Sequence, residues 1–144
     1  MEAGKIAIET FNKYLTIGVT FNQETTLCGK SILSNIQKAK QLGYLIEVHY
    51  VGVDNVDIAK KRIEERVHVG GHGIPDKDVE RRYNNSFAQL KLIWNEVDML
   101  ILYDNSFNLR RFALYKRGVV FRLSSTLPNW FILNGFDKPF DVNS

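Results

Sequence analysis

The stretch Leu45-Ile46-Glu47-Val48-His49-Tyr50-Val51 is dense in valine, isoleucine and tyrosine, which favour extended backbone, and it predicts a β-strand. A second stretch, Val97-Asp98-Met99-Leu100-Ile101-Leu102-Tyr103, is apolar nearly throughout. Residues 19–27 are rich in β-branched and aromatic side chains and predict a third strand. Strands this continuously apolar are typical of a parallel sheet that is covered on both faces.

Helical periodicity occupies the chain between these strands. Apolar residues recur at three- and four-residue steps over residues 3–15, 31–42, 55–67 and 76–96, and each segment predicts a helix, the third capped by Asn55 or Asp57. Residues 112–115 and Val119–Leu123 flank Lys116-Arg117-Gly118 and predict a β-hairpin, and a short helix is expected after Leu127. The order predicts an α/β fold with a mostly parallel sheet and a C-terminal β-hairpin, in a single domain over residues 1–144.

Composition excludes several classes of protein. The balance of 44% hydrophobic and 24% charged residues is globular, and 144 residues fit one domain. The apolar runs are too short to cross a bilayer and the N-terminus has no export pattern, so we expect a cytoplasmic protein without a membrane partner. Cys28 is the single cysteine, and His68 and His72 lack a third ligand nearby, so no metal site is expected. The aromatic residues follow core periodicity, which argues against a nucleic-acid partner.

One segment resembles the end of a phosphate-binding loop. Gly29-Lys30-Ser31 follows a predicted strand and precedes a predicted helix, as in the motif G-x-x-x-x-G-K-[ST]. The first glycine of that motif allows the tight turn that aims backbone N–H groups at phosphate, and Glu24 stands in its place. The other Gly-Lys pair, Gly4-Lys5, continues with Ile6. The sequence therefore contains no Walker A motif.

Polar residues at the ends of the predicted strands are the first candidates for chemistry, because ligands of parallel sheets bind at the carboxyl ends of strands. Glu24, with Thr25 and Thr26 beside it, lies in an otherwise apolar segment. Its carboxylate would either orient or deprotonate a substrate hydroxyl, or serve as a structural hydrogen-bonding group, and both interpretations stay open. Asp54 and Asn105 follow the other two predicted strands.

Arginines flank a glycine-rich loop. Arg66 lies at the entrance to Gly70-Gly71-His72-Gly73, and Arg81 and Arg82 lie on the helix that leaves it. Such a loop can close over a phosphorylated ligand and bring guanidinium groups to its oxygens. The alternative is a solvated helix face on which the arginines pair with Glu64, Glu65 and Glu80.

Six segments match one pattern in the same order, from about Ala3 to Trp130. They are Phe21-Asn22-Gln23-Glu24-Thr25-Thr26-Leu27 with Gly29 and Ser31; Gly43-Tyr44; Tyr50-Val51-Gly52-Val53-Asp54; Arg62 and Arg66-Val67 with Gly70-Gly71-His72 and Ile74-Pro75; Arg81-Arg82-Tyr83 with Ser86; and Tyr103-Asp104-Asn105-Ser106. In this order they resemble the zeta toxin family of P-loop kinases, in particular its small stand-alone bacterial members.

The resemblance implies a kinase fold, an activity and partners. Members of the family use ATP and Mg²⁺ to phosphorylate UDP-N-acetylglucosamine, so a sugar nucleotide or related small substrate is implied, as is an antitoxin partner. By the same resemblance, the catalytic residues are Glu24, Arg66 and Arg82, and the substrate-binding residues are Thr25 and Thr26. The nucleotide-binding residues it implies are Arg66, Arg81, Arg82 and Asn105. It places Gly70, Gly71 and His72 in the lid loop.

The chain departs from the family at its beginning. Family members place a strand and a P-loop ahead of the helix that holds Ala3-Gly4-Lys5, and here Met1 stands at that helix. The phosphate loop is missing, and so is a central strand that the family places between the strands matched by residues 21–27 and 45–51. We expect an N-terminally truncated zeta-like kinase, inactive alone. Two alternatives stay open: a binding module that keeps the sugar-nucleotide pocket or captures a partner, and a kinase half completed by another chain.

Losing a central strand predicts a weakened fold. Lost burial costs about 25 cal/mol for each Å² of apolar surface, against a total stability of about 5–15 kcal/mol. We therefore expect a chain that is marginally stable, a homo-oligomer through its strand edges, or a sheet closed by direct pairing of the two flanking strands. Thermal unfolding with light scattering tests this expectation. A monomer that melts cooperatively above about 65 °C, beyond the usual mesophilic range, contradicts it.

Overall fold

A four-stranded sheet in the order β1-β2-β3-β4 organises the computed structural model, which describes residues 2–27, 29–71 and 73–138. The strands are β1 Glu47–Gly52, β2 Met99–Asp104, β3 Arg110–Lys116 and β4 Val119–Leu123. The helices are α1 Glu2–Ile17, α2 Ser31–Gln41, α3 Val56–His68, α4 Asp76–Ile93 and α5 Asn129–Leu133. Within the described ranges, none of these helices has the length and hydropathy that a membrane span requires.

The predicted α/β class is confirmed, but the prediction of a mostly parallel sheet is wrong. β1 and β2 are parallel, whereas β2 with β3 and β3 with β4 are antiparallel. Residues 105–109 are too few for the crossover of a dozen or more residues that a parallel strand needs, so the chain turns back on itself after β2. The C-terminal hairpin is confirmed. Arg117 and Gly118 both have positive φ, 48° and 77°, as a two-residue hairpin turn requires.

The prediction of a third strand over residues 19–27 is also wrong. Residues 19–26 form neither helix nor strand. Their β-branched side chains favour extended backbone, but a strand exists only where a neighbouring backbone completes its hydrogen bonds. The direct pairing of residues 19–27 with β1, one of the three outcomes expected above, is not found.

The predicted helices are confirmed with small shifts at their ends. Asn55, and not Asp57, caps α3, because its Oδ1 accepts a hydrogen bond from the Ile58 N–H at 3.0 Å. The helix α4 ends at Ile93, one turn before the predicted end at Glu96. The short helix expected after Leu127 is α5.

The core lies on one face of the sheet, under α4 and α5. Alternate residues of the strands turn apolar side chains to this face, and they meet a cluster of large aromatic rings from the two helices. The Trp130 indole, 1% exposed, stacks on Phe87 with ring centroids 5.7 Å apart and contacts Tyr50 at 5.6 Å. Gly52 of β1 leaves the room for this ring, since a Cβ there would overlap the indole carbons.

Gly52→Ala is expected to destabilise the protein by about 1–3 kcal/mol, because the added methyl group must displace the buried Trp130 ring. Gly4→Ala is the matched control, since nothing lies within 4 Å of a Cβ built at Gly4 in the exposed helix α1. That substitution is expected to stabilise by about 0.5–1 kcal/mol. Urea unfolding measures both, and an unchanged midpoint for Gly52→Ala contradicts the assigned contact.

Candidate functional site

A cleft of about 250 Å³ lies at the carboxyl end of β1. Its walls come from β1, α3 and α4, with Ile74 of the glycine-rich loop and Thr26 at its margin. Arg66, in the last turn of α3, and Arg82 of α4 supply its only charged side chains among the described residues. We call this site the arginine cleft, and its two positive charges with no carboxylate have the chemistry that favours an anionic ligand.

The guanidinium groups of the two cleft arginines make no ion pair with a described residue. Within the described part of the chain, neither the Arg66 nor the Arg82 side chain has an ion pair or hydrogen bond. Arg81 differs: it is 62% exposed and pairs with Asp78 at 3.4 Å, one turn away on the same helix. Consecutive helical residues point about 100° apart, so only one of this pair can face the cleft, and it is Arg82. Glu80, an expected arginine partner, pairs with Lys60 instead.

Two phenols and a serine complete the polar lining. The Tyr83 hydroxyl donates to the Val53 carbonyl at 2.8 Å, and the Tyr50 hydroxyl is hydrogen-bonded to Ser86 Oγ at 2.7 Å. Desolvation by burial raises the pKa of Tyr50 and of Tyr83, each to about 12. Both phenols are therefore neutral at physiological pH, and they leave the positive charge of the cleft uncompensated.

Glu24 and Thr25 lie in a different cavity. They line a larger groove of about 610 Å³, which Glu47, His49 and Val51 of β1 also line. We call it the β1-edge groove. Val51 lines both cavities, whereas Thr26 reaches the arginine cleft. The structure therefore brings Thr26, Arg66 and Arg82 together in the arginine cleft, whereas Glu24 and Thr25 line the neighbouring groove.

The glycine-rich loop begins with a tight return onto α3. Gly70 has a φ of 95°, and the Gly71 N–H donates to the Arg66 carbonyl at 2.7 Å. A Cβ at Gly71 would collide with that carbonyl, so the position requires glycine. These contacts hold Gly70 and Gly71 against the last turn of α3, which contains Arg66. His72, like Cys28, lies outside the described residues.

Asn105 has a structural position at the carboxyl end of the inner strand β2. Its backbone N–H donates to the Gly52 carbonyl at 2.9 Å, and it lines neither cavity. Beside it, Asp104 is 7% exposed and accepts from Ser106 Oγ at 2.7 Å and Trp130 Nε1 at 3.2 Å. The sequence shows a carboxylate at the end of a predicted strand, but no local pattern predicts that Asp104 accepts a hydrogen bond from an indole 26 residues away.

The donor set fits phosphate and not a metal ion. Guanidinium groups bind phosphate oxygens, and the cleft lining has no carboxylate that would hold Mg²⁺. Within residues 2–27, 29–71 and 73–138, no three His, Cys, Asp or Glu side chains are grouped as metal ligands. The fold and the cleft together define a mixed α/β protein with a cationic cleft at the carboxyl end of β1, the edge strand of a parallel strand pair.

Comparison with known proteins adds one relative. An uncharacterized protein of Haemophilus influenzae is 36% identical over 83 residues, which cover 58% of this chain and 59% of that protein. The match thus spans less than two thirds of the relative's length. No protein-family model matches the chain, and no solved structure matches it.

The tyrosines of the cleft predict a late alkaline titration. The folded protein holds the Tyr50 and Tyr83 protons up to about pH 12, whereas an unfolded tyrosine releases its proton near pH 10.0. The stability that these two phenols contribute is therefore complete below pH 10 and is lost as pH rises toward 12. Absorbance at 295 nm should show a late phase that Tyr83→Phe reduces. Full ionisation of all six tyrosines near pH 10 in folded protein contradicts this.

Proposed function

We propose that the chain is part of a zeta-toxin-like kinase domain, and that the arginine cleft holds the phosphates of its nucleotide. The family activity is ATP-dependent phosphorylation of UDP-N-acetylglucosamine or a related small substrate. The observation that carries the proposal is the convergence of Arg66 and Arg82, both free of ion pairs within the described residues, on one cleft without a carboxylate.

Solvent exposure limits the affinity of this cleft. Arg66 is exposed and Arg82 half-buried, so water screens their attraction for an anion. Two charge-assisted contacts of about 1.5–3 kcal/mol each correspond to a dissociation constant between several millimolar and some tens of micromolar, and the entropic cost of association weakens it further. These residues alone are therefore expected to hold phosphate weakly.

These 144 residues by themselves are proposed not to transfer phosphate. Phosphoryl transfer depends on positioning and charge stabilisation by a phosphate loop, its lysine and Mg²⁺. The sequence contains no G-x-x-x-x-G-K-[ST], and among the described residues the cleft lining has no lysine and no carboxylate. ATP and Mg²⁺ are cofactors of the family's whole kinase unit. An antitoxin partner is part of the same proposal.

A second candidate is a non-catalytic module that binds a sugar nucleotide. The separation of Glu24 from the arginine cleft favours it, because a site without a nearby acid or base can retain a ligand without reacting it. In this function Thr26, Arg66 and Arg82 contact the diphosphate, and no product forms. The kinase and the binding module thus share the anion site, and they differ in whether the whole unit to which these residues belong forms a product.

Arg82→Gln is expected to weaken pyrophosphate binding about fivefold to tenfold, whereas Arg81→Gln leaves it unchanged. The reason is that Arg82 lines the cleft, while Arg81 pairs with Asp78 outside it. NMR titration of both variants and of the unaltered protein with pyrophosphate and Mg-ATP measures these affinities. Unfolding midpoints provide the control for folding.

Two results would contradict the proposal. Equal losses for Arg81→Gln and Arg82→Gln would remove the arginine cleft as the anion site. Saturable Mg-ATP binding at micromolar concentration would show that these residues form a complete phosphate cradle. Incubation with Mg-ATP and UDP-N-acetylglucosamine is expected to give no product with these 144 residues. Turnover would contradict that expectation, whereas saturable retention of UDP-N-acetylglucosamine without product supports the binding module.

A further inference from the structure

Three polar side chains meet on the face of the sheet that lies opposite the aromatic core. The leucines of β2 belong to the core, so by alternation Tyr103 lies on the other face. Parallel pairing places Val51 beside Tyr103, and Glu47 and His49 precede Val51 at alternate positions of β1, so they share its face. The His49 and Glu47 side chains are 50% and 53% exposed, so a solute can reach this group.

Hydrogen bonds join the three side chains in one line. His49 Nε2 lies 2.7 Å from Glu47 Oε1, and His49 Nδ1 lies 2.9 Å from the Tyr103 hydroxyl oxygen. An ionised carboxylate only accepts hydrogen bonds, so in the neutral imidazole Nε2 carries the proton and donates it to Glu47. The free electron pair of the ring is then on Nδ1, which accepts from the Tyr103 hydroxyl. This tautomer is the one in which His49 can take the phenolic proton.

The arrangement is that of an activated nucleophile. A nucleophilic side chain becomes reactive when a base lies within hydrogen-bond reach and a third group orients that base. The other hydrogen-bonded tyrosines of the described chain lack a base, because Tyr44 and Tyr83 donate to backbone carbonyls and Tyr50 is bonded to Ser86. Among the described residues, Tyr103 is the one whose hydroxyl is bonded to an imidazole.

A guanidinium group lies beside this nucleophile. Arg111 of β3 is the cross-strand partner of Tyr103, so the two side chains share a face and their Cα atoms are about 4.5–5.5 Å apart. Arg111 makes no ion pair or hydrogen bond with a described residue. It borders a shallow depression of about 790 Å³, whose lining includes Arg122 and, among the described residues, no carboxylate. A molecule at Tyr103 therefore meets positive charge from the adjacent strand.

We propose that Tyr103 is a nucleophile for acyl transfer from an activated ester that carries a carboxylate, with His49 as its general base. Acyl transfer is a reaction that a nucleophile and an oriented base perform without a cofactor. The Tyr103 oxygen bonds to the ester carbonyl carbon, and the bond from that carbon to the leaving oxygen breaks, its electron pair departing with the leaving group. The phenolic proton passes to His49 Nδ1, and Glu47, a positioning residue, stabilises the imidazolium. Arg111 attracts the carboxylate of the substrate.

The test uses mono-p-nitrophenyl adipate, an activated ester with a carboxylate, and neutral p-nitrophenyl acetate for comparison. Release of p-nitrophenolate is expected to show a burst of about one equivalent, and tandem mass spectrometry is expected to place the acyl group on Tyr103. Tyr103→Phe should abolish the burst, and His49→Gln should slow it at least about tenfold. Tyr14→Phe is the matched control, because no described residue hydrogen-bonds to the hydroxyl of the half-buried Tyr14.

Two further readouts separate the roles of the neighbouring charges. Arg111→Gln is expected to lower the preference for the adipate ester about twofold to fivefold, because solvent screens exposed charges. Arg117→Gln should leave the preference unchanged, since Arg117 is 79% exposed in the hairpin turn and pairs with Asp98. Glu47→Ala removes the acceptor of the Nε2 proton, so imidazole ¹⁵N NMR should show mixed tautomers of His49 together with slower acylation. Unfolding midpoints control for folding.

Several outcomes overturn the proposal. Acylation of Tyr14 as fast as of Tyr103, or of lysines alone, would mean general surface reactivity. An unchanged burst in His49→Gln would remove His49 as the base, and a His49 ring with its proton on Nδ1 in the unaltered protein would contradict the assigned tautomer. The inference does not depend on the arginine cleft, and Tyr103→Phe should leave pyrophosphate affinity unchanged. The two proposals can therefore fail separately.

Discussion

The rest of the structure depends on the contacts of one buried side chain, the Trp130 indole. Its Nε1 donates to Asp104 at the end of β2, and its backbone N–H donates to Asp54 just after β1, each at 3.2 Å. Its ring fills the space that Gly52 leaves and stacks on Phe87 of α4. One residue of a five-residue helix therefore ties both parallel strands to the main helix of the core.

The positions of both cavities follow from this anchor. The arginine cleft opens where β1 ends, and its floor is the same Tyr50–Phe87 contact that packs against the indole. Across Val51, the β1-edge groove carries carboxylates where the cleft carries guanidinium groups. The chain's small net charge of +3 conceals this separation of opposite charges into neighbouring cavities.

The differences between prediction and structure have common physical causes. Residues 19–27 have the composition of a strand, yet composition cannot supply the neighbouring backbone that a strand needs. The sheet is mostly antiparallel because a five-residue connection follows β2, a feature that strand composition does not report. Arg81 and Arg82 are equivalent in sequence, and only the packing of α4 against β1 decides that Arg82 faces the cleft.

The sequence by itself determined the helices, the hairpin at Lys116-Arg117-Gly118 and the α/β class, because periodicity, capping and turn chemistry act over a few residues. Thr26, Arg66, Arg81 and Arg82 were among its candidate site residues, and the fold brings three of them, Thr26, Arg66 and Arg82, to one cleft. Tertiary structure alone decided the separation of Glu24 from those arginines, the pairing of Asp104 with Trp130 and the place of β1 at the edge of the sheet. Each of these depends on contacts between residues distant in the chain, for which local sequence carries no signal.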